Sequence, residues 1–116
     1  MLYMVGTLRE TDGLEAKLPE RVFTELVHGI AILDCEYGED RNYQEDGGYS
    51  LVAETAEDIQ AVKKYVDFEF HPCEWAVTIG KDTGYLCALF IMNDDFSIML
   101  YLPAAIAPDA ILRELD

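Results

Sequence analysis

The sequence predicts a single α+β domain over residues 1–116, with a mainly antiparallel sheet of four or five strands and two or three helices packed on it. Three observations carry this reading. First, 116 residues is a normal length for one domain, and 51% of them are apolar, enough to bury a core. Second, two apolar runs, Tyr85–Met92 and Ser97–Leu102, flank Asn93-Asp94-Asp95, whose composition marks a hairpin turn. Third, Thr55 is followed three residues later by Asp58, ahead of an apolar stripe. This is the pattern of a capped helix.

Taken in order, Leu2–Val5 reads as a short strand and Arg9–Lys17 as a polar loop. Pro19 suits a first helical position, and Val22 and Leu26 lie four apart. With Gly29 as the stop, a helix is expected over Pro19–His28. Ile30–Tyr37 is apolar and then alternating, and reads as a strand. It is expected to form a hairpin with Tyr49–Ala53 around the polar tip Gly38–Gly48. In Ala56–Val66, Ile59, Val62 and Val66 share one helical face, acids occupy the first turn and lysines the end, as the helix dipole favours. Phe68 and Phe70 alternate with charges as in a short strand, which His71-Pro72 breaks. Trp75–Ile79 reads as another strand. Tyr85–Met92 is apolar at every position, so a central strand covered on both faces is expected. Pro103 ends the next strand. Pro108 opens a last short helix that buries Ile111, Leu112 and Leu115.

The charge narrows the range of functions. Twenty-three acids against eight basic residues give −15. Such a chain is repelled by nucleic acid and by anionic membranes, so neither direct nucleic-acid binding nor membrane binding is expected. A basic or neutral protein partner fits, and a homodimer stays open. The first nine residues lack the charged and apolar regions of a secretory signal. The longest apolar run, Ile98–Ala107, contains Pro103 and falls short of the roughly 20 residues that a membrane span needs. Cys35, Cys73 and Cys87 are odd in number and widely spaced, which suits reduced thiols and a cytoplasmic location.

No motif points firmly to chemistry, so no catalytic residue, cofactor or metal is assigned. Asp40, Asn42, Gln44 and Asp46 have the alternate spacing of a calcium loop. However, position six is Glu45 rather than glycine and position twelve is Leu51 rather than Glu. An irregular divalent-ion site of Asp34, Glu36, Asp40 and Asp46 competes with the plainer reading of a solvated loop tip. His71 and Cys73 form the one close pair of soft ligands, whereas zinc usually wants two such pairs. Cys73 beside His71 or His28 is the one candidate nucleophile, set against a loop corner with Trp75 as an apolar anchor. The serines lie within expected strands, and no phosphate loop is present.

The acidity is uneven. Residues 34–46 hold six acids (Asp34, Glu36, Glu39, Asp40, Glu45 and Asp46) against Arg41 alone. The functional reading is a surface that docks a basic partner and speeds its approach; the plain one is solubility. Phe68, His71 and Trp75 form a second candidate surface. Three classes follow: a non-catalytic acidic binding or regulatory protein, a DNA mimic that occupies a DNA-binding partner, and an enzyme with an unrecognised site.

Residues 85–115, with Phe-Ile-Met-Asn-Asp-Asp-Phe-Ser-Ile-Met-Leu-Tyr-Leu-Pro and then Ala-Pro-Asp-Ala-Ile-Leu-Arg-Glu-Leu, resemble small uncharacterised acidic proteins encoded on conjugative elements of gut Firmicutes. Leu33–Tyr49 is similar to their middle portion. The resemblance implies a bacterial cytoplasmic accessory protein and adds weight to the DNA-mimic class. It transfers no site residues.

Overall fold

Alternation of apolar runs with turn residues produces five strands and three helices. The computed structural model describes residues 1–115. In chain order the elements are β1 (Tyr3–Val5), α1 (Glu20–Tyr37), β2 (Gly47–Val52), α2 (Ala56–Val62), β3 (Cys73–Thr78), β4 (Tyr85–Asn93), β5 (Phe96–Pro103) and α3 (Asp109–Leu112), with single 3-10 turns at Arg9–Thr11 and Ala104–Ile106. The sheet order is β1-β2-β5-β4-β3. Three of its pairings are antiparallel, and β2 with β5 is parallel. The α+β class expected from sequence is what the chain adopts. β4 is an interior strand between β3 and β5, and pairs with β5 across the Asn93–Asp95 turn, where the Asp95 N–H donates to Asn93 Oδ1 at 2.9 Å.

The longest departure from the sequence expectation lies in Ile30–Tyr37; Leu112, expected to be buried in the last helix, is also exposed. No hairpin joins Ile30–Tyr37 to Tyr49–Ala53, because Ile30–Tyr37 is the second half of α1. The stripe Val22, Leu26, Ile30 is fully buried and continues at helical spacing through Leu33 and Tyr37, so the apolar residues after Gly29 have a helical use. Gly29 sits inside the helix, and a methyl group there would only reach ordinary contact with the Tyr101 hydroxyl, 3.5 Å away. The actual stop is Gly38. Its φ of +100° leaves helical geometry, and its N–H donates to the Asp34 carbonyl at 2.9 Å. Phe68 and Phe70 lie in turns rather than in a strand, and α2 ends at Val62, with the Val66 N–H still donating to the Val62 carbonyl at 2.9 Å.

The sheet separates two cores. On one face Leu86, Ala88 and Phe90 of β4 pack with Leu51, Leu100, Ile59 and Val62 of α2, and Ile111 of α3. On the other face Val22, Leu26 and Ile30 of α1 pack over Val5, Val52, Cys87 and Tyr101. Alternate residues of each strand therefore serve opposite layers. Gly48 permits the parallel β2–β5 contact: its φ is +113°, and a side chain there would overlap the Ser97 carbonyl. At the outer edge of the sheet the chain returns after α3, where the Ala76 N–H donates to the Glu114 carbonyl at 3.2 Å.

Candidate functional site

The acids of residues 34–46 divide into two kinds. Asp34 belongs to an internal lock. Arg41, whose side chain is almost completely buried, donates from Nε to Asp34 Oδ1 at 3.1 Å and from its other nitrogens to the carbonyls of Asp46, Gly48 and Gly6 at 2.7–2.9 Å. One guanidinium thus ties the end of α1 to the following loop, to β2 and to the segment after β1. Glu36, Glu39, Asp40, Glu45 and Asp46 are exposed. Asp34 is committed to Arg41, so the four acids first considered as an ion site do not share one. Among the described residues no three His, Cys, Asp or Glu side chains gather where they would hold a metal ion.

The second sequence-derived surface is dispersed by the sheet. Phe68 packs on the α2 side against Phe90, with ring centroids 5.6 Å apart, whereas Trp75 packs on the α1 side. His71 stays near Phe68 in sequence but turns back on its own loop, where Nδ1 accepts the Asp67 N–H at 3.3 Å and the ring meets Phe70 edge-on. Cys73 is buried on the α2 side. Its thiol donates to the Trp75 carbonyl at 3.2 Å, and burial, with Glu114 nearby, pushes it above the ordinary thiol range. It is not poised as a nucleophile.

A site that sequence reasoning missed lies between α1 and the β3–β4 half of the sheet. α1 covers one side of its sheet face and leaves the other open. Beside its buried stripe runs a second one: Arg21, Glu25, His28, Ile32 and Glu36, spaced three and four apart and facing the open side. The floor comes from strand register. Trp75 lies opposite Leu89, Leu89 opposite Met99, and Val77 opposite Cys87. A cleft of about 270 Å³ lies over Trp75, Val77 and Met99, and a second of about 230 Å³ lies over Leu89 and Ile91, Leu89 being the strand neighbour of both Trp75 and Met99. Large apolar side chains stand open to solvent along this groove: Ile32 is 52% exposed, Ile91 48% and Val77 39%. Glu25, Glu36 and Asp94 rim it, with Arg21 at one end.

The groove favours recognition over reaction. Burial pushes the Cys87 thiol up to about 12, and the neighbouring Tyr101 hydroxyl offsets only part of this, so the sulfur stays protonated at neutral pH. Burial also raises Tyr101, whose hydroxyl donates to the Glu25 carbonyl at 3.3 Å. What remains accessible is an apolar strip flanked by carboxylates. A sequence signal for it existed. Ile32 lies off the Val22–Leu26–Ile30 stripe, and Tyr85–Met92 has the pattern of a strand covered on both faces. The structure buries Leu86, Ala88 and Phe90 but leaves Leu89 half-buried and Ile91 open.

No helix among the described residues is long and apolar enough to cross a membrane. No family model, curated protein or solved structure matches the chain.

Proposed function

We propose that this protein is a non-catalytic binding module that holds an apolar, positively charged segment of a protein partner in the groove between α1 and β3–β4. The observation that carries this reading is that exposed aliphatic side chains stand beside acids in both clefts, Ile32 and Val77 with Glu25 in one, Ile91 with Glu36 and Asp94 in the other. Contiguous exposed apolar surface edged by charge marks interaction sites. The net charge of −15 and the exposed loop acids Glu39, Asp40, Glu45 and Asp46 then act at longer range, steering a basic partner toward the groove. Acids lie on both outer layers, Glu25 and Glu36 on α1 and Glu57 on α2. That distribution suits a general attractive field better than the single-faced phosphate array of a DNA mimic.

The test places a photo-crosslinking residue at Ile32, and in a control at Phe70, identifies the proteins captured, and measures their affinity for the unmodified chain. Capture of a basic protein from position 32, with affinity that falls as salt rises and is lost in Ile32→Lys, supports the reading. Affinity unchanged in Ile32→Lys but lost when Glu39, Asp40, Glu45 and Asp46 are neutralised moves the docking surface to the loop. Affinity unchanged in both variants assigns the acidity to solubility.

A further inference from the structure

We infer that the groove is the seat of one α-helix from a basic partner, lying beside α1 and completing the layer that α1 leaves half-built. The inference rests on the binding reading above and adds the shape of what binds. Strands about 4.8 Å apart make a five-stranded sheet about 19 Å across, and a helix about 10 Å thick covers roughly half of that. α2 and α3 share the opposite face, whereas on its own face α1 is joined only by Leu14 and Leu18 of the segment before it. The uncovered part is the strip over Trp75, Val77, Leu89 and Ile91, where Val77 and Ile91 are exposed and Trp75 and Leu89 half-buried. The all-apolar pattern of β4 is that of a strand with cover on both sides, and among the described residues its second cover reaches Cys87 but leaves Leu89 half-buried and Ile91 open. From Arg21 to Tyr37 the groove wall runs about 24 Å at 1.5 Å per residue, the length of a helix of about 16 residues.

The rim chemistry selects the occupant. Glu25, Glu36 and Asp94 call for Lys or Arg on either side of an apolar stripe at i, i+3 or i+4, and i+7, the pattern by which helices enter grooves. A second copy of this chain would bring a further −15 to an acid-rimmed surface, which opposes self-association through this face.

The experiment is a selection from displayed 16-residue peptides. Half of the library carries apolar residues at helical spacing and half at alternate positions, with the remaining positions free. The intact protein is the bait and Ile32→Lys the counter-bait. Ile32 is exposed and lysine is a good helix former, so the variant is expected to fold; Ile91→Lys repeats the test from the sheet side. The inference expects winners from the helical half, enriched in Lys and Arg, binding at least about tenfold more weakly to both variants, which corresponds to about 1.4 kcal/mol. Winners from the alternating half that lose affinity for both variants would overturn the helical occupant while sustaining the binding reading. Winners indifferent to both variants, or none at all, would overturn both. Sedimentation showing a dimer that Ile32→Lys dissociates would assign the face to a second copy instead.

Discussion

The two faces of the sheet are made from the same strands but finished differently. Toward α2 and α3, Leu86, Ala88, Phe90, Ile98 and Leu100 are closed off from water. Toward α1, closure holds over Val52, Cys87 and Tyr101, and lapses two residues along β4 at Leu89 and Ile91 and at Trp75 on the neighbouring strand. The two kinds of site are adjacent in sequence. Phe90 is fully buried and its neighbour Ile91 is half exposed, though both are large and apolar. Hydrophobicity alone therefore does not separate a residue that stabilises the fold from one available to a partner; the layer it faces does.

The largest effect expected from breaking this contrast is at Phe90. Phe90→Ala removes a ring from the closed face and should cost about 3–5 kcal/mol of unfolding free energy. Ile91→Ala, one residue along, should cost about 0.5 kcal/mol or less, as surface substitutions do. Denaturant titration of the pair checks both. Comparable losses would mean that the α1 side is as closed as the other.

Arg41→Ala is the next largest. It removes the donor to Asp34 and to three carbonyls, leaving Asp34 without its partner. Breaking a buried pair from one side costs about 3–5 kcal/mol, and the slight exposure of Asp34 places this one at the lower end. Asp34→Asn should cost less, since an amide oxygen still accepts from Nε. Neutralising Glu39, Asp40, Glu45 and Asp46 should leave the denaturation midpoint nearly unmoved, which distinguishes lock from loop.

A smaller effect reads the burial of the groove floor through pH. The folded Cys87 thiol is raised to about 12 by burial, while an unfolded thiol ionises near 8.5. Its contribution to stability is therefore full below about pH 8.5 and is lost as pH rises toward the folded value, at about 1.4 kcal/mol per pH unit. Cys73 acts in the same direction, and Tyr49 and Tyr101 join above about pH 10. Stability measured from pH 7 to 10 should fall less steeply in Cys87→Ala. An identical slope would mean that water reaches the sulfur. Asp58 works at the other end. Burial alone would raise its carboxyl, but the N–H groups of Glu54 and Thr55 and the Met1 ammonium outweigh that and hold it below the usual range. Its contribution is present above the unfolded value near 3.9 and is lost as pH falls through the lower folded one.

Much of the fold was legible because the signals were local. Asn93-Asp94-Asp95 between two apolar runs marked the central hairpin, and Thr55 with Asp58 marked the start of α2. Ile30–Tyr37 misled because eight residues of mixed apolar character fit a strand as readily as a helix. Only burial against β2 and β5 decides between them, and Gly29 looked like a stop while serving as an ordinary interior residue. The parallel β2–β5 pairing was hidden because it joins segments almost fifty residues apart. Site residues were harder still. Charge density drew attention to residues 34–46, yet Asp34 turned inward to Arg41. Phe68 and Trp75, seven residues apart, emerged on opposite faces. Ile32 and Val77 share one cleft, and Ile91 lines the next, only through strand register and the position of α1, which no local pattern encodes.

Trp75 makes the central claim directly measurable, since it is the sole tryptophan and lines the groove. Its emission and its quenching by acrylamide should be followed while a helical peptide from the selection is added at low salt. If the peptide completes the α1 layer, the emission shifts to the blue and quenching falls as the complex forms, and both changes disappear in Ile32→Lys. A peptide that binds fully while Trp75 emission and quenching stay constant would contradict the account.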